Sequence, residues 1–238
     1  MPLVVTAFLV VCLSQTTQPS VVALAQPTTV PMVSTPTVSV AESSATDLAE
    51  KVLKASGGDM WPKAKRVRFT CKIEQGDQPA LIVSHDWDIR AGTDVVKWPD
   101  KSVTVDVRKA PSADDVESKA AFDRWMTDSA WLVAPLKVRD PGVKLTQLDC
   151  AEIGGTTYEV LRFAEASGEG ALPREVQYDL YIDPHTHLVR HWDLQIGSDQ
   201  KVSGSWDCYT DFAGLQLSTS HIVGSGKITY SDITVELD

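Results

Sequence analysis

Charged side chains are missing from the start of this sequence. No Asp, Glu, Lys or Arg occurs from Met1 to Ala41, although the whole chain carries 22 Lys and Arg against 32 Asp and Glu. The formal net charge of -10 therefore belongs entirely to the later residues. Such an acidic chain lacks the basic face that binds nucleic-acid phosphates, so we expect no nucleic-acid partner.

Long apolar runs are also missing after the start of the chain. Beyond Ala41, no uncharged stretch approaches the ~20 residues that a membrane-spanning helix requires. This excludes a polytopic membrane protein, and we expect no transmembrane span in the mature chain. Apolar residues make up 43% of the 238 residues, which is enough for one domain with a hydrophobic core.

The uncharged start has two features of an export signal. Leu3–Leu13 is an apolar run of the length of a signal-peptide core, and Ala23-Leu24-Ala25 matches the small-residue pattern before a cleavage site. No positive charge precedes the apolar run. We predict a signal peptide over residues 1–25 and therefore export to the periplasm or cell envelope of a bacterium.

The next segment has the composition of a spacer. Residues 26–44 are rich in Pro, Thr, Ser and Val. Such a stretch buries too little apolar area to fold, and its prolines keep it extended. We predict a linker over residues 26–44, followed by a single domain over residues 45–238.

Cysteine is scarce, with four residues in the chain. Cys12 follows Leu9-Val10-Val11, which loosely resembles a bacterial lipobox, so a lipid anchor at Cys12 is the alternative to cleavage after Ala25. Without Cys12 the number of cysteines is odd, and at most one disulfide can form within the chain. Cys71 and Cys208 both fall in the apolar phase of predicted strands, where two buried thiols or one bridge would fit equally.

Two segments have the spacing of helices. Apolar residues recur on one face over Asp47–Ala55, and Gly57-Gly58 can end this helix because glycine adopts the left-handed conformation of a C-cap. Asp114–Asp128 has the same spacing, and the apolar patch Ala130–Leu136 follows it.

Most of the remaining sequence alternates between apolar and polar residues, which is typical of an antiparallel sheet with one buried face. The predicted strands cover residues 66–73, 81–90, 103–108, 143–152, 157–164, 176–183, 187–196, 202–213, 215–224 and 226–236. We predict a mainly β (α+β) fold, a single strongly curved antiparallel sheet or incomplete β-barrel of about 10–11 strands with helices on its concave face.

Three segments together resemble a known family pattern. They are the entry Ala49–Gly58 with Trp61, the middle segment Phe122–Trp125 with Ser129–Lys137 and Asp140-Pro141-Gly142, and the hairpin Tyr178–Thr186 with Leu188. On these motifs the chain resembles an uncharacterised bacterial envelope family related to the LolA/LolB-like lipoprotein-carrier superfamily. The Asp-Pro-x-Thr-x-Leu hairpin is shared widely in that superfamily, and the resemblance covers most of residues 47–238.

The resemblance implies an incompletely closed antiparallel barrel, lidded by helices, that encloses an apolar cavity for acyl chains. Its motifs are structural rather than catalytic. The functional arginine of the carrier family has no matching position in this sequence.

Histidine supplies the candidates for a metal site. His185, His187 and His191 lie near Asp183, and two imidazoles with a carboxylate can ligate a metal ion. However, Pro184 marks a hairpin tip, and four residues of a strand separate two side chains by about 13 Å. We therefore expect no metal site and no cofactor. His185 and His187 are the candidate ligands that a test for metal binding would address.

Two further polar motifs have structural explanations. His85 lies in the apolar phase between Val83 and Trp87, which favours a hydrogen-bonded core histidine over a catalytic base. Asp86 and Asp88 are two residues apart on the opposite face, which favours a solvated strand face over a glycosidase pair.

Tryptophan is abundant, with seven residues against five Phe and five Tyr. These rings either fill the core or line a cavity between sheet and helices. An empty apolar cavity loses dispersion contacts, so a half-barrel needs a filled interior or a hydrophobic guest. The candidate cavity-lining, ligand-binding residues are Trp87, Trp125, Met126, Trp131, Leu132 and Trp192.

These observations favour a non-enzymatic binding protein that holds a lipid or a lipoprotein acyl chain, without catalytic residues. A metal-dependent hydrolase that uses the His185/His187 hairpin is one alternative. An envelope sensor or partner-binding module, with another envelope protein as partner, is the other. Because the domain is acidic, we expect lipid contact through chain burial rather than attraction to anionic headgroups.

Overall fold

The structure, a computed structural model, describes residues 42–140, 143–165, 176–196 and 200–238. The predicted signal peptide at residues 1–25, the candidate anchor Cys12 and residues 26–41 of the predicted linker lie outside these ranges, so they remain predictions. Among the residues that are described, no helix combines the length and the apolar character needed to cross a bilayer.

Helix α1 covers Glu42–Ala55 and thus begins before the predicted Asp47. Its apolar stripe starts earlier than the prediction assumed, because Ala45 belongs to it. The buried residues follow the i, i+3, i+4, i+7 spacing of a helix that packs one face against a core, and they are Ala45, Leu48, Ala49 and Val52.

Glycine ends α1, as predicted. Gly57 has a φ of +83°, and the Gly58 N–H donates to the Leu53 carbonyl oxygen at 2.8 Å. A Cβ atom on Gly57 would lie 2.0 Å from the carbonyl oxygen of Gly214. The position therefore requires glycine both for its backbone conformation and for the close approach of a second segment.

The sheet contains twelve strands within the described residues, and all neighbouring strands are antiparallel. They are β1 Ala64–Gln75, β2 Leu81–Asp88, β3 Thr93–Lys97, β4 Ser102–Asp106, β5 Val143–Ile153, β6 Thr156–Glu165, β7 Val176–Ile182, β8 Val189–Ile196, β9 Gln200–Ser205, β10 Asp207–Phe212, β11 Leu215–Val223 and β12 Gly226–Leu237.

These strands follow the order β4-β3-β2-β1-β12-β11-β9-β8-β7-β6-β5, and β10 pairs with β11. The sheet is not closed, and β4 and β5 stand at its two ends. The predicted fold class is therefore confirmed, although the structure has more strands than the 10–11 that were predicted.

Strand β1 shows the predicted alternation. Its inward side chains Val67, Phe69 and Cys71 are almost fully buried. Its outward Arg66 and Arg68 form ion pairs with Asp88 and Asp86 of β2, which confirms a solvated outer face. Pairs this exposed contribute little to stability, so the register of β1 depends mainly on its buried face.

The prediction of one strand over residues 202–213 is wrong, because Trp206 interrupts the strand and separates β9 from β10. Strand β9 pairs with β8 and, at Gly204, with β11, whereas β10 pairs with β11 alone. Between them Trp206 is 2% exposed, and its indole Nε1 donates to the Trp131 carbonyl oxygen at 2.9 Å. The side chain thus turns toward a helix, and the sheet neighbours change at that residue.

This break also overturns the prediction for Cys208. The residue has a φ of +55° and is exposed, so the alternation of the preceding strand does not continue through it. Cys71 is buried, and both Cys71 and Cys208 are free thiols. The proposed pair of buried thiols and the proposed bridge are therefore both wrong.

Helix α2 covers Val116–Val133 and extends past the predicted end at Asp128. The Asp115 carboxylate caps its start by accepting the Ser118 N–H at 3.0 Å. The predicted apolar patch Ala130–Leu136 is helical, because it continues the buried side of α2 into a 3-10 turn over residues 134–137. The helices lie on the concave face, with α1 against β5 and β6 and α2 against β3, β4 and β11.

We expect Gly57→Ala to lower the free energy of unfolding by more than Gly154→Ala does. Both glycines have positive φ, but a Cβ atom on Gly154 meets no atom within 4 Å. The control variant therefore has only the left-handed strain of about 1–2 kcal/mol. Urea unfolding of both variants measures the difference, and equal losses would contradict a close approach at Gly57.

Candidate functional site

A group of charged side chains lies buried between α2 and the sheet. We call it the buried ion cluster, and it consists of His85, Asp94, Arg124 and Asp128. The His85 Nδ1 atom lies 2.7 Å from Asp94 Oδ2, and its Nε2 atom lies 3.1 Å from Asp128 Oδ2. The Arg124 guanidinium donates to both oxygens of the Asp128 carboxylate.

Several elements bring the buried ion cluster together. His85 comes from β2 and Asp94 from β3, both on inward positions of their strands. Arg124 and Asp128 are four residues apart on α2 and so lie on one side of the helix. Tyr230 of β12 adds a further link, because its hydroxyl donates to the Asp128 backbone carbonyl at 2.7 Å.

Burial and pairing act in opposite directions on the buried ion cluster. Burial alone would lower the pKa of His85, but hydrogen bonds to Asp128 and Asp94 outweigh it and raise that pKa above its usual value. Burial would likewise raise the pKa of Asp128, but Arg124 and His85 hold it below its usual value. The charged forms are thus favoured because each has an opposite charge in contact.

The buried ion cluster is suited to holding a helix rather than to catalysis. The His85 and Asp94 side chains are 0% exposed, and both imidazole nitrogens already contact carboxylates. A general base needs a free nitrogen within reach of a substrate. The neighbouring Cys71 is no better as a nucleophile, because burial raises the pKa of its thiol. The prediction that His85 is a hydrogen-bonded core histidine is confirmed.

A cavity of about 160 Å³ lies between α2 and the sheet. Trp87, Ile89 and Val107 line it from the sheet side. From α2 it is lined by Trp125, Met126, Ser129, Ala130 and Val133. Trp125 and Ser129 directly follow the ion-cluster residues Arg124 and Asp128 in sequence. Trp61 completes the wall, with its ring centroid 5.8 Å from that of Trp87.

The polar part of the cavity lining is basic. Arg108 and Lys137 both line it, and the described lining contains no Asp or Glu. Arg108 is exposed and Lys137 is half-buried, so this side of the cavity reaches solvent. The Nε1 atoms of Trp87 and Trp125 are buried and have no hydrogen-bond partner among the described residues.

The structure divides the six predicted ligand-binding residues into two groups. Trp87, Trp125 and Met126 line the cavity, and the Trp87 and Trp125 rings meet edge to face at 5.6 Å. Trp131, Leu132 and Trp192 are also buried, but they are not part of the lining of this cavity.

Trp131 belongs to a second aromatic group beyond the cavity. Its ring lies 4.7 Å from that of Trp192 and 6.1 Å from that of Trp206, between centroids. His221 packs against Trp131 and Trp206, and burial lowers the pKa of His221 to about 3. These contacts hold the last turns of α2 on the sheet.

The histidine hairpin does not form a cluster of ligands. His185 is exposed, and its backbone N–H donates to the Asp183 carboxylate at 2.9 Å, as in a tight turn. The His187 Nδ1 atom lies 3.7 Å from Glu159 Oε2, whereas His191 packs against the Tyr158 ring. Across the described ranges, no group of three or more His, Cys, Asp or Glu could hold a metal ion.

Sequence reasoning missed Asp94, Arg124 and Asp128, although two signals were available. Asp128 stands where the apolar stripe of α2 continues from Trp125 to Leu132, so its carboxylate had to be buried. Asp94 stands two residues before Val96 in β3, on the same buried face. A carboxylate at a core position requires a charged partner, and that requirement would have identified His85 as a member of an ion cluster.

Comparison with known proteins gives similarity to solved structures alone. No protein-family model matches the chain, and no curated protein does. A LolA superfamily protein from Nitrosomonas europaea is 9% identical with a TM-score of 0.48, and the match covers 79% of this chain and 93% of that one. A DUF1329 family protein from Desulfovibrio piger is 10% identical with a TM-score of 0.47, over 81% of this chain and 93% of that one.

Both TM-scores are below 0.5 and both identities are 10% or less, so these similarities do not assign the chain to a family. At such low identity and similarity, no residue role and no ligand is carried over from either structure. The chemistry of the site is therefore argued from the residues of this chain.

We expect the two buried histidines to titrate on opposite sides of the ordinary histidine pKa of ~6.5. The raised pKa of His85 means that its contribution to stability is complete below ~6.5 and is lost as the pH rises through its folded value. Burial lowers the pKa of His221 to about 3, so this imidazole stays neutral in mild acid. Nitrogen-15 NMR of the imidazole rings checks both, and a His85 pKa below that of free histidine would contradict the ion cluster.

Asp128→Asn should destabilise the fold by about 3–5 kcal/mol, because it leaves buried cations without their partner. Asp123→Asn on the same helix is the control, since Asp123 forms a surface pair with Lys119 at 2.5 Å, worth about 0–1 kcal/mol. Denaturant unfolding separates the two variants. Similar losses would show that the buried ion cluster does not hold α2.

Proposed function

We propose that this chain is an exported, non-enzymatic binding protein that holds a lipid or a lipoprotein acyl chain between its sheet and α2. The cavity lined by Trp87, Trp125 and Met126 carries the proposal. Its walls are indole, thioether and aliphatic groups, which bind apolar chains by burial of surface, at about 25 cal/mol per Å² before entropic costs.

The size of the cavity fits part of a chain. An engineered protein cavity of ~150 Å³ admits benzene, and the volume of about 160 Å³ here is similar. We therefore propose that a segment of the acyl chain occupies the cavity while the rest of the ligand lies toward Arg108 and solvent. Because the chain has a net charge of -10, binding would depend on the buried segment rather than on attraction to an anionic membrane surface.

The end of α2 is held over the cavity by the packing of three buried side chains. In this proposal they are Trp131, Leu132 and Trp192. Residues Ala130 and Val133 of the lining directly precede and follow Trp131-Leu132 in α2. A change at Trp131 would therefore alter binding through the position of the helix. Export to the periplasm or envelope rests on the sequence features before Ala41 and is part of the same proposal.

Filling the cavity tests the proposal. We expect Ala130→Leu, which places a larger side chain into the lining, to weaken binding of the neutral fluorescent probe N-phenyl-1-naphthylamine by about tenfold, or 1.4 kcal/mol. Ala120→Leu is the matched control, because Ala120 is exposed on the same helix. Fluorescence titration of both variants measures the effect, and equal affinities would place the probe outside this cavity.

Native mass spectrometry of the purified protein provides an independent measurement. A co-purifying mass that matches a lipid or a fatty acid would support the proposal. If no lipid or fatty acid co-purifies with the protein and the probe does not bind, the cavity takes no apolar ligand and the proposed function is wrong.

A further inference from the structure

One imidazole ring stands between two buried carboxylates. The His85 Nδ1 atom lies 2.7 Å from Asp94 Oδ2, and its Nε2 atom lies 3.1 Å from Asp128 Oδ2. Protonated histidine donates from both ring nitrogens, whereas neutral histidine donates from one and accepts at the other. An ionised carboxylate only accepts. Both contacts are therefore hydrogen bonds only while His85 carries its charge.

The two carboxylates differ in their other partners. Asp128 also accepts from the Arg124 guanidinium, which belongs to the same helix. In the described part of the chain, Asp94 has His85 as its sole hydrogen-bond donor, and its Oδ1 atom is buried without a partner. A buried carboxylate without a donor is costly in free energy. When His85 becomes neutral, the remaining proton is therefore expected on Nδ1, toward Asp94.

Keeping the proton on Nδ1 breaks the contact between sheet and helix. His85 and Asp94 lie on the neighbouring strands β2 and β3, whereas Arg124 and Asp128 lie on α2. With Nδ1 protonated, Nε2 presents its lone pair to the Asp128 carboxylate, and two acceptors in contact repel each other. The strands keep their pairing and the helix keeps its own ion pair, but the buried charge pairing between them is lost.

The other titratable groups described around His85 keep their charge state near neutral pH. Cys71 of β1 and Tyr230 of β12 stay neutral, because burial raises the pKa of both side chains. His221 lies next to the Tyr230 ring and is neutral as well, because burial lowers its pKa to about 3. Burial opposes the charge of Arg124, but its carboxylate partner outweighs burial and raises the pKa. A change of charge in this region near neutral pH is therefore assigned to His85.

The cavity lies beside the part of α2 that His85 holds. Trp125 and Ser129 line the cavity and directly follow the two ion-cluster residues of the helix. The last turns of α2 are attached separately, since the Trp206 indole donates to the Trp131 carbonyl oxygen. Loss of the His85 contact therefore loosens the lining segment while the end of the helix stays on the sheet.

We propose that His85 is a pH-dependent switch that ties α2 to the sheet when protonated and, when neutral, releases the middle of the helix and weakens binding of the apolar ligand. Burial opposes the charge of His85, but its hydrogen bonds to Asp128 and Asp94 raise its pKa. The tie is thus complete below the ordinary histidine pKa of ~6.5 and is lost as the pH rises through the folded value. This inference rests on the proposed function, because it regulates binding at the same cavity.

The affinity of the unaltered protein for N-phenyl-1-naphthylamine tests the switch. We expect about tenfold weaker binding at about pH 9 than at about pH 6, the ratio expected from loss of one charge-assisted hydrogen bond. Nitrogen-15 NMR of the same samples follows the His85 ring. The neutral ring should carry its proton on Nδ1, and the midpoint of the change in affinity should coincide with the titration of His85.

Three results would each overturn the switch. The first is an affinity that stays constant while His85 titrates. The second is a neutral His85 ring with its proton on Nε2, because the contact with Asp128 would then survive. The third is a ring that remains charged at the higher pH, because the helix would then never be released near neutral pH.

Two substitutions should remove the pH dependence in opposite ways. His85→Gln cannot become charged and offers a donor to one carboxylate and an acceptor to the other, so it should bind the probe weakly at both pH values. Asp94→Asn supplies an amide that donates to Nδ1. The neutral ring can then keep its proton on Nε2 for Asp128, and binding should stay tight at the higher pH.

His185→Gln is the control, because His185 is exposed on a hairpin far along the chain. It should show the same pH dependence as the unaltered protein. An effect of pH elsewhere in the molecule would persist in His85→Gln and so contradict the switch. Loss of affinity at the higher pH in Asp94→Asn would contradict the competition of two carboxylates for one proton.

The outcomes separate this inference from the proposed function. If the probe binds equally well at both pH values while His85 titrates, the switch is wrong and the proposed function stands. If the probe binds at neither pH and no lipid co-purifies, both are wrong. Loss of fold in a variant is detected by its unfolding transition, and the pH series on the unaltered protein then decides.

Discussion

The pairing of Asp128 in α2 with His85 in β2 is the constraint on which the position of α2 depends. The helix carries a carboxylate into the core, and the sheet supplies the imidazole that neutralises it, with Arg124 and Asp94 completing the charge balance. A buried ion pair adds little net stability, yet separating its members is strongly unfavourable. Any other placement of α2 would separate the buried charges at a large cost in free energy. The pairing therefore fixes the position of the helix while adding little to the stability of the fold.

The cavity follows from that placement. Trp125 and Ser129 directly follow Arg124 and Asp128 in α2, so fixing the charged residues also fixes these lining side chains against Trp87. Trp131 and Trp206 hold the far end of the helix through ring packing and the indole hydrogen bond to the Trp131 carbonyl. Between these two attachments the facing side chains do not fill the space, and the remaining volume is lined mainly by apolar surface, with Arg108 and Lys137 as its charged residues.

Local patterns predicted most of the fold. The alternation in β1 and β2 and the glycine end of α1 follow from residue properties within short segments, and the structure agrees with them. The errors occurred where a distant contact overrides the local pattern. Trp206 interrupts an alternating run because its indole reaches α2, and Cys208 then adopts a left-handed conformation that places it outside. The apolar stripes of β3 and α2 could have shown that Asp94 and Asp128 are buried, but only the tertiary structure shows that both carboxylates contact His85.

The sequence by itself determined the class of the fold, the acidic character of the chain and the apolar faces of its helices and strands, because these depend on composition and periodicity. The tertiary structure decided which tryptophans share a cavity. Trp87, Trp125, Trp131 and Trp192 all read as inward-facing residues, but the first two meet across the cavity and the last two pack against each other beyond it. The physical reason is that a cavity is a gap between elements distant in sequence. Its position depends on where the buried ion cluster holds α2 against the sheet.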